Sequence, residues 1–144
     1  MRRLKTRELR GIYWTLTLLF IVPQAWSAVQ YLVDAPRMTA TLLALGYPAY
    51  FMKILGVAKL LGIAAIVTAL SPTLKEWAYA GFTFETIGAS VSHLSAGDPL
   101  WVGLVPLGFA IVQLASYTAW KRLGTTGRRR RYFFEAVGGL PEAR

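Results

Sequence analysis

Two ionisable residues lie far from the ends of long apolar segments, and they are the first candidates for chemistry. Lys59 lies near the middle of the segment Tyr50–Leu70, and Glu85 lies near the middle of the segment Trp77–Leu94. A charge at the centre of a membrane helix costs about 2.5–3.5 kcal/mol on insertion scales, so such residues pair with one another or serve a function. Two interpretations are open, a structural ion pair and a site that handles protons or a quinone, and we favour the ion pair.

The spacing of these two residues places them at nearly the same depth. Thr73, in the short connection between the two segments, lies almost midway in sequence between Lys59 and Glu85. At about 1.5 Å of rise per residue the two depths differ by roughly 3 Å, which long side chains cover. Small residues surround both charges and let membrane helices approach closely; they are Gly56, Gly62, Gly81, Gly88 and Ser92. We therefore expect both charges to lie on faces where helices contact each other.

A second polar group is predicted near the outer surface. Thr73 also lies midway in sequence between Lys53 and His93, and Tyr50 and Asp98 fall at a depth similar to theirs. This group could contact a lipid headgroup or a quinone carbonyl, or it could serve only as interfacial hydrogen-bonding residues. With one histidine and no cysteine in the chain, we expect no metal site and no intrinsic cofactor.

Two further polar faces are typical of hydrogen bonding between helices. One lies on the first apolar segment and the other on the last. They comprise Gln24, Ser27 and Tyr31, and Gln113, Ser116, Tyr117 and Trp120.

The segments that must position these residues have the composition of a membrane protein. Hydrophobic residues make up 55% of the 144 residues and charged residues 16%, whereas soluble domains average about 25% charged residues. Four apolar segments approach the roughly 20 residues that span a bilayer; they are Gly11–Val33, Tyr50–Leu70, Trp77–Leu94 and Leu100–Trp120. We predict an all-α fold, an integral membrane four-helix bundle with a short interfacial helix at Met38–Leu45 between spans one and two.

Basic residues concentrate at the two ends of the chain. Of sixteen Lys and Arg residues, five lie in the first ten positions and six lie between Lys121 and Arg131. By the positive-inside rule both termini, and the connection 71–76 with its Lys75, are cytoplasmic in a bacterial plasma (inner) membrane. No nucleic-acid-binding motif accompanies the charge, so no nucleic-acid partner is expected. The predicted units are a basic N-terminus (1–10), a membrane domain (11–122) and a basic tail (123–144).

The tail joins charge to aromatic residues. We expect this segment to lie on the anionic cytoplasmic leaflet, where basic residues are attracted and aromatic rings insert at headgroup level. The alternative is that it docks on an acidic partner subunit. The residues concerned are Arg128, Arg129, Arg130, Arg131, Phe133 and Phe134.

Several motifs resemble the DoxX-like membrane proteins. They are GYPAYF at 46–51, KILGVAKLLG at 53–62 and LKEWAYAGF at 74–82, followed by Ser92-His93 and Gly97-Asp98. The resemblance covers most of 11–122 and leaves out the basic tail. It implies a four-helix membrane bundle; the family name comes from a subunit linked to thiosulfate:quinone oxidoreduction, and other relatives are associated with membrane oxidoreductase complexes. No catalytic residue carries over, and Lys59, Glu85 and His93 carry over only as structural or binding residues.

Two functions from different classes follow. The first is a quinone-linked accessory of a membrane redox complex, not catalytic alone, because the chain cannot hold a haem or an iron–sulfur cluster by itself and a partner must supply electrons. The second is a non-catalytic structural or assembly subunit of a larger membrane complex. In both, the partners are the lipid bilayer and other membrane subunits or a second copy. A small-solute transporter is a third hypothesis, but no inverted repeat supports it.

Overall fold

The computed structural model describes the backbone of residues 6–68 and 71–136 and the side chains of residues 6–68 and 71–124. Those parts of the chain form helices and contain no strand, which confirms the all-α prediction. The helices are α1 (Thr6–Leu32), α2 (Pro36–Ala44), α3 (Tyr50–Val67), α4 (Pro72–Ser95) and α5 (Leu100–Ala136).

Three of these helices are long and apolar enough to cross a membrane. They are α1, α3 and the part Leu100–Gly124 of α5. Helix α4 has 24 residues, which is sufficient length, but its Thr and Ser residues, Glu85 and His93 lower its hydropathy. The described residues therefore contain three candidate spans where the sequence predicts four, and the crossing by α4 stays a prediction.

The four long helices pack as a closed ring. Helix α1 contacts α3 and α5, and α4 contacts the same two helices from the opposite side. The central core contains Phe20, Ile21, Ile66, Tyr79 and Phe82. The rings of Phe20 and Phe82 meet edge to face with centroids 5.0 Å apart, a favourable aromatic geometry. Many large apolar side chains are exposed on the outside of the ring, as suits contact with lipid.

Helices α1, α2 and α4 end with the same turn. The second residue after each helix has a positive φ, +52° at Asp34, +85° at Gly46 and +83° at Gly97. The next N–H then bonds a carbonyl five residues back, as in a Schellman motif. These bonds join Ala35 to Gln30, Tyr47 to Leu42 and Asp98 to His93, at 3.0, 3.0 and 3.1 Å. The turns fold Tyr47 and Asp98 back towards the helices that precede them.

Helix α4 begins earlier than the apolar segment suggested. Ser71 accepts a hydrogen bond from the Leu74 N–H at 3.4 Å, and Pro72 occupies the first turn, a position that suits proline. Lys75 therefore lies within α4 and is buried, rather than in the loop 71–76 that the sequence predicts. Helix α5 likewise runs past residue 122 without a break, so the boundary predicted there rests on charge alone.

Candidate functional site

Lys59 joins three helices through its ammonium group. Its Nζ lies 2.6 Å from Glu85 Oε1 on α4 and donates to Gln24 Oε1 at 2.5 Å and Ser27 Oγ at 2.8 Å, both on α1. An ammonium group has three N–H donors, and here three acceptors face it. Lys59 is 5% exposed and Glu85 is 21% exposed, so the lysine is enclosed while the carboxylate reaches an accessible surface.

The polar face of α1 surrounds this lysine. Besides Gln24 and Ser27, the ring of Tyr31 lies 5.3 Å from Lys59 Nζ, within cation–π range. Ser27 also donates to the Gln24 carbonyl at 3.0 Å, which holds its oxygen towards α3. Three polar residues of α1 therefore take the place of the water molecules that burial removes from the ammonium group.

The glycines around the two charges divide into two kinds. A Cβ at Gly56 would lie 2.9 Å from the Leu32 side chain, and a Cβ at Gly62 would lie 2.8 Å from the Phe82 ring. Those two glycines of α3 are at helix contacts, as expected. A Cβ at Gly81 or Gly88 would meet nothing within 4 Å, so the expectation of a contact face is wrong for α4, where these glycines leave open space.

A cavity of about 220 Å³, the outer chamber, fills part of that space. It lies between α2, α3, α4 and Tyr31 of α1. Glu85 lines it towards the middle of α4 and His93 lines it towards the end of α4. Most of its remaining wall is apolar or aromatic, from Leu42, Leu45, Phe51, Leu55, Phe84 and Ala89. An apolar cavity with a few converging polar groups is the usual form of a small-molecule site.

Two side-chain pairs build the outer end of this chamber. His93 Nδ1 lies 2.6 Å from Asp98 Oδ2, because the turn at Gly97 returns the chain over the end of α4. Tyr47 OH lies 2.6 Å from Ser92 Oγ. Since Ser92 donates its only hydroxyl proton to the Gly88 carbonyl at 2.8 Å, the tyrosine is the donor in this pair. The sequence showed Tyr47 only as part of the GYPAYF motif.

The four residues predicted to share the outer surface fall into separate places. His93 and Asp98 pair with each other, whereas Lys53 binds Asp34 Oδ2 at 2.6 Å and the Leu32 carbonyl at 2.5 Å. Tyr50 is 68% exposed. Neither Lys53 nor Tyr50 lines the outer chamber. All four residues lie near one end of the bundle, but depth along a helix does not determine which side of the bundle each residue faces.

A second cavity, the inner crevice, has a volume of about 230 Å³ and lies between α3 and α4. Leu55 and Glu85 line both cavities, so the two meet at the ion pair. The rest of the crevice wall runs along both helices towards the connection between α3 and α4. It consists of Ala58, Lys59, Gly62, Trp77, Ala78, Gly81 and Phe82.

A buried polar network that the sequence indicated only in part links α1, α4 and α5. Ser116 Oγ lies 2.7 Å from Thr17 Oγ1 and 2.8 Å from Tyr79 OH. Gln113 Nε2 donates to the Tyr79 carbonyl at 2.6 Å and to Thr83 Oγ1 at 2.7 Å. The polar face of the last span predicted Gln113 and Ser116, but nothing in the sequence paired them with Thr17.

Lys75 forms a further contact that sequence reasoning missed. Its Nζ donates to Tyr13 OH at 2.7 Å and lies 5.2 Å from the centroid of the Trp120 ring. The lysine thus joins the first turn of α4 to α1 and α5. The sequence did contain an indication of this position. Serine is a preferred N-cap residue, and Lys75 follows Ser71 by four residues, so a place in a helix is favoured over a place in a loop.

Two further predictions from the sequence concern a metal centre and the basic tail. Among the described residues no group of three or more His, Cys, Asp or Glu could hold a metal ion. The predicted membrane-surface residues Arg128–Arg131, Phe133 and Phe134 lie outside the described side chains.

Comparison with known proteins identifies one family. A model of the DoxX-like family matches residues 15–116, which is well over half of the chain and confirms the resemblance seen in its motifs. The match includes the residues of both cavities. No curated protein and no solved structure matches the sequence.

Proposed function

This chain belongs to the DoxX-like family of membrane proteins, and on that basis we propose that it is a quinone-linked accessory protein of a membrane redox complex. The ring of the quinone would bind in the outer chamber. The protein would hold and position the ring, and electrons would pass to or from a partner protein.

The observation that carries this proposal is the chamber itself, an apolar cavity with a polar group at each end. Glu85 and His93 are eight residues apart on α4, or about 12 Å along the helix axis, and both side chains line the cavity. A quinone has an apolar ring with an oxygen at each of two opposite ends. A volume of about 220 Å³ is below the roughly 300–1,000 Å³ of pockets for drug-sized ligands, which suits a single ring.

The polar groups at the two ends of the chamber, Glu85 and His93, favour the reduced form of the ring. A carboxylate only accepts hydrogen bonds, so His93 must donate through Nδ1–H to Asp98. That leaves Nε2 of a neutral His93 as an acceptor, and no described residue bonds it. With Glu85 as the second acceptor, the chamber matches the two hydroxyl groups of a hydroquinone better than the two carbonyls of a quinone.

Several features of the topology belong to the same proposal. Helix α4 would be the fourth span, α2 would lie in the outer interface, and both termini would face the cytoplasm of a bacterial inner membrane. Residues 1–10 and 123–144 would be the basic cytoplasmic segments on either side of the membrane domain 11–122, with Arg128–Phe134 on the leaflet surface. The charge distribution and the ring of four long helices support this arrangement.

The alternative is a non-catalytic structural or assembly subunit, and one observation favours it. All three donors of Lys59 already have protein acceptors, so the central ion pair is complete without a ligand. In that case the pair serves to hold α1, α3 and α4 together, and neighbouring subunits or a second copy would cover the bundle.

Equilibrium dialysis of a tail-less benzohydroquinone against the protein in nanodiscs tests the proposal. We expect saturable binding to the wild type, and at least tenfold weaker binding to His93→Phe. Glu76→Gln is the matched control because it removes a carboxylate of α4 that pairs with Lys121 far from the chamber, and it should bind like the wild type. Equal binding by His93→Phe would refute the chamber as the site. Absence of binding by the wild type, together with a stoichiometric complex in mild detergent, would favour the structural alternative.

A further inference from the structure

The inner crevice continues the outer chamber along α3 and α4. The two cavities share Leu55 and Glu85. From Glu85 the crevice reaches Trp77, eight residues earlier on α4, which is about 12 Å along the helix. Among the described residues, its charged lining groups are Lys59 and Glu85, which neutralise each other at its outer end. The remainder of its wall is apolar.

Glycines keep this path open. Gly81 lines the inner crevice and Gly88 lines the outer chamber, and any side chain at either position would enter empty space. Both glycines are exposed, so the path opens at the surface that the bundle presents to lipid. Within the crevice, α3 and α4 come into contact where Gly62 meets the ring of Phe82.

We propose that the inner crevice binds the apolar chain of the ligand whose ring occupies the outer chamber, so that the ligand is a prenylated quinol rather than a free ring. This inference rests on the proposed function and extends it to a second subsite. The outer chamber is too small for a ring and its chain together, so the chain must leave it. The inner crevice is the apolar route that joins the chamber directly, at Leu55 and Glu85.

The charges of the two cavities argue against a phospholipid in the same place. A phosphate headgroup requires donors or cations. Among the described residues, the chamber lining contains no Lys or Arg, and the three donors of Lys59 already have acceptors. The polar lining consists of the acceptors Glu85 and His93 and the hydroxyl-bearing residues Tyr31, Thr41, Tyr47 and Ser92. The neutral, hydroxyl-bearing headgroup of a quinol meets those acceptors without introducing a second negative charge.

Three leucine substitutions at glycines test the chain subsite. Gly81→Leu fills the inner crevice, Gly88→Leu fills the outer chamber, and Gly108→Leu on α5 also enters open space but lies in neither cavity. Ala58→Leu fills the inner crevice from the opposite wall, on α3. Thermal unfolding verifies that each variant folds. Each is titrated in identical nanodiscs with a tail-less benzohydroquinone and with its prenylated form, and the ratio of the two affinities is compared with that of Gly108→Leu.

We expect Gly108→Leu to bind the prenylated form at least tenfold more tightly than the tail-less form, relative to empty nanodiscs. Gly81→Leu and Ala58→Leu should lose that advantage and keep tail-less binding within about twofold of the control, while Gly88→Leu should lose both ligands. If Gly81→Leu and Ala58→Leu still bind the prenylated form more tightly by the full factor, the chain subsite is wrong, whereas the ring site in the outer chamber is unaffected. Failure of the tail-less ring to bind the wild type would overturn the proposed function as well.

Discussion

At the scale of residues, the pairing of Lys59 and Glu85 is the contact that the sequence anticipated most directly. Their depths follow from helix geometry and from the short connection between two neighbouring helices, so one sequence was sufficient to place them together. Gln24 and Ser27 could not be assigned to Lys59 in the same way, because the rotation of α1 relative to α3 depends on packing. The structural or functional role of the pair stays a proposal.

Removing one partner of this pair should destabilise the protein strongly. Glu85→Gln leaves the buried Lys59 without its counter-charge, and Lys59→Met leaves the carboxylate unpaired, each at a cost of about 3–5 kcal/mol by analogy with soluble proteins. The double substitution should cost less than the sum of the two. Reversible unfolding in mixed micelles measures these free energies.

The exposed pair of Lys53 and Asp34 is the matched control. Its side chains are 45% and 61% exposed, so Asp34→Asn should change the free energy of unfolding by no more than about 1 kcal/mol. Strictly additive losses for Lys59→Met and Glu85→Gln would show that the two residues do not act as a pair.

Asp98 should act on the ligand through His93. The amide that Asp98→Asn introduces can accept a hydrogen bond from Nδ1–H or donate one to an unprotonated Nδ1, since an amide both donates and accepts, so this variant no longer fixes Nε2 as the acceptor. We expect severalfold weaker binding of hydroquinone to Asp98→Asn and little change for the oxidised quinone. Asp34→Asn, which alters a carboxylate outside the chamber, is the control. An equal loss for both ring forms would indicate that Asp98 has only a structural role.

At the scale of elements, apolar segments predicted the long helices, and turn chemistry explains where they end. The sequence missed the true start of α4 because Lys75 and Glu76 suggested a loop, whereas the cap at Ser71 and the proline after it begin the helix. It also predicted that Gly81 and Gly88 lie at helix contacts. Small residues allow a close approach but do not require one, and the crossing of α3 and α4 leaves them open instead.

The turn after α4 should depend on a glycine. Gly97 has a φ of +83°, and an L side chain in that region costs roughly 1–2 kcal/mol. We expect Gly97→Ala to lower the free energy of unfolding by about 1 kcal/mol and to weaken hydroquinone binding, because the turn positions Asp98 against His93. Gly108→Ala, at a helical glycine with open space, should be neutral or slightly stabilising. If Gly97→Ala leaves hydroquinone binding unchanged, the turn does not contribute to the binding site.

At the scale of the whole molecule, the positive-inside rule and the closed ring of helices lead to a topology that labelling can test. The chain contains no cysteine, so single cysteines can be introduced without background. We expect Thr6→Cys and Thr73→Cys to react with an impermeant maleimide only from the cytoplasmic side, and Arg37→Cys and Ser95→Cys only from the outside. If Thr73→Cys and Ser95→Cys react from the same side, α4 does not cross the membrane.

The cavities are the feature of the whole molecule that no single segment of sequence could indicate. Each is lined by residues of two or more helices, and its volume depends on their crossing geometry. Composition predicted a helical membrane protein, and motifs indicated its family. The outer chamber becomes visible only when α2, α3 and α4 are placed around the His93–Asp98 pair.

Photo-crosslinking of an azido-substituted quinol to the protein in nanodiscs, followed by mapping of the labelled residues, determines whether the ring binds in the outer chamber. We expect saturable labelling on 41–51 and 84–93, the segments that form most of the chamber, with protection by unlabelled hydroquinone and strong reduction in Gly88→Leu. Labelling confined to the outer surfaces of α1 and α5, or labelling that unlabelled hydroquinone does not compete away, would contradict it.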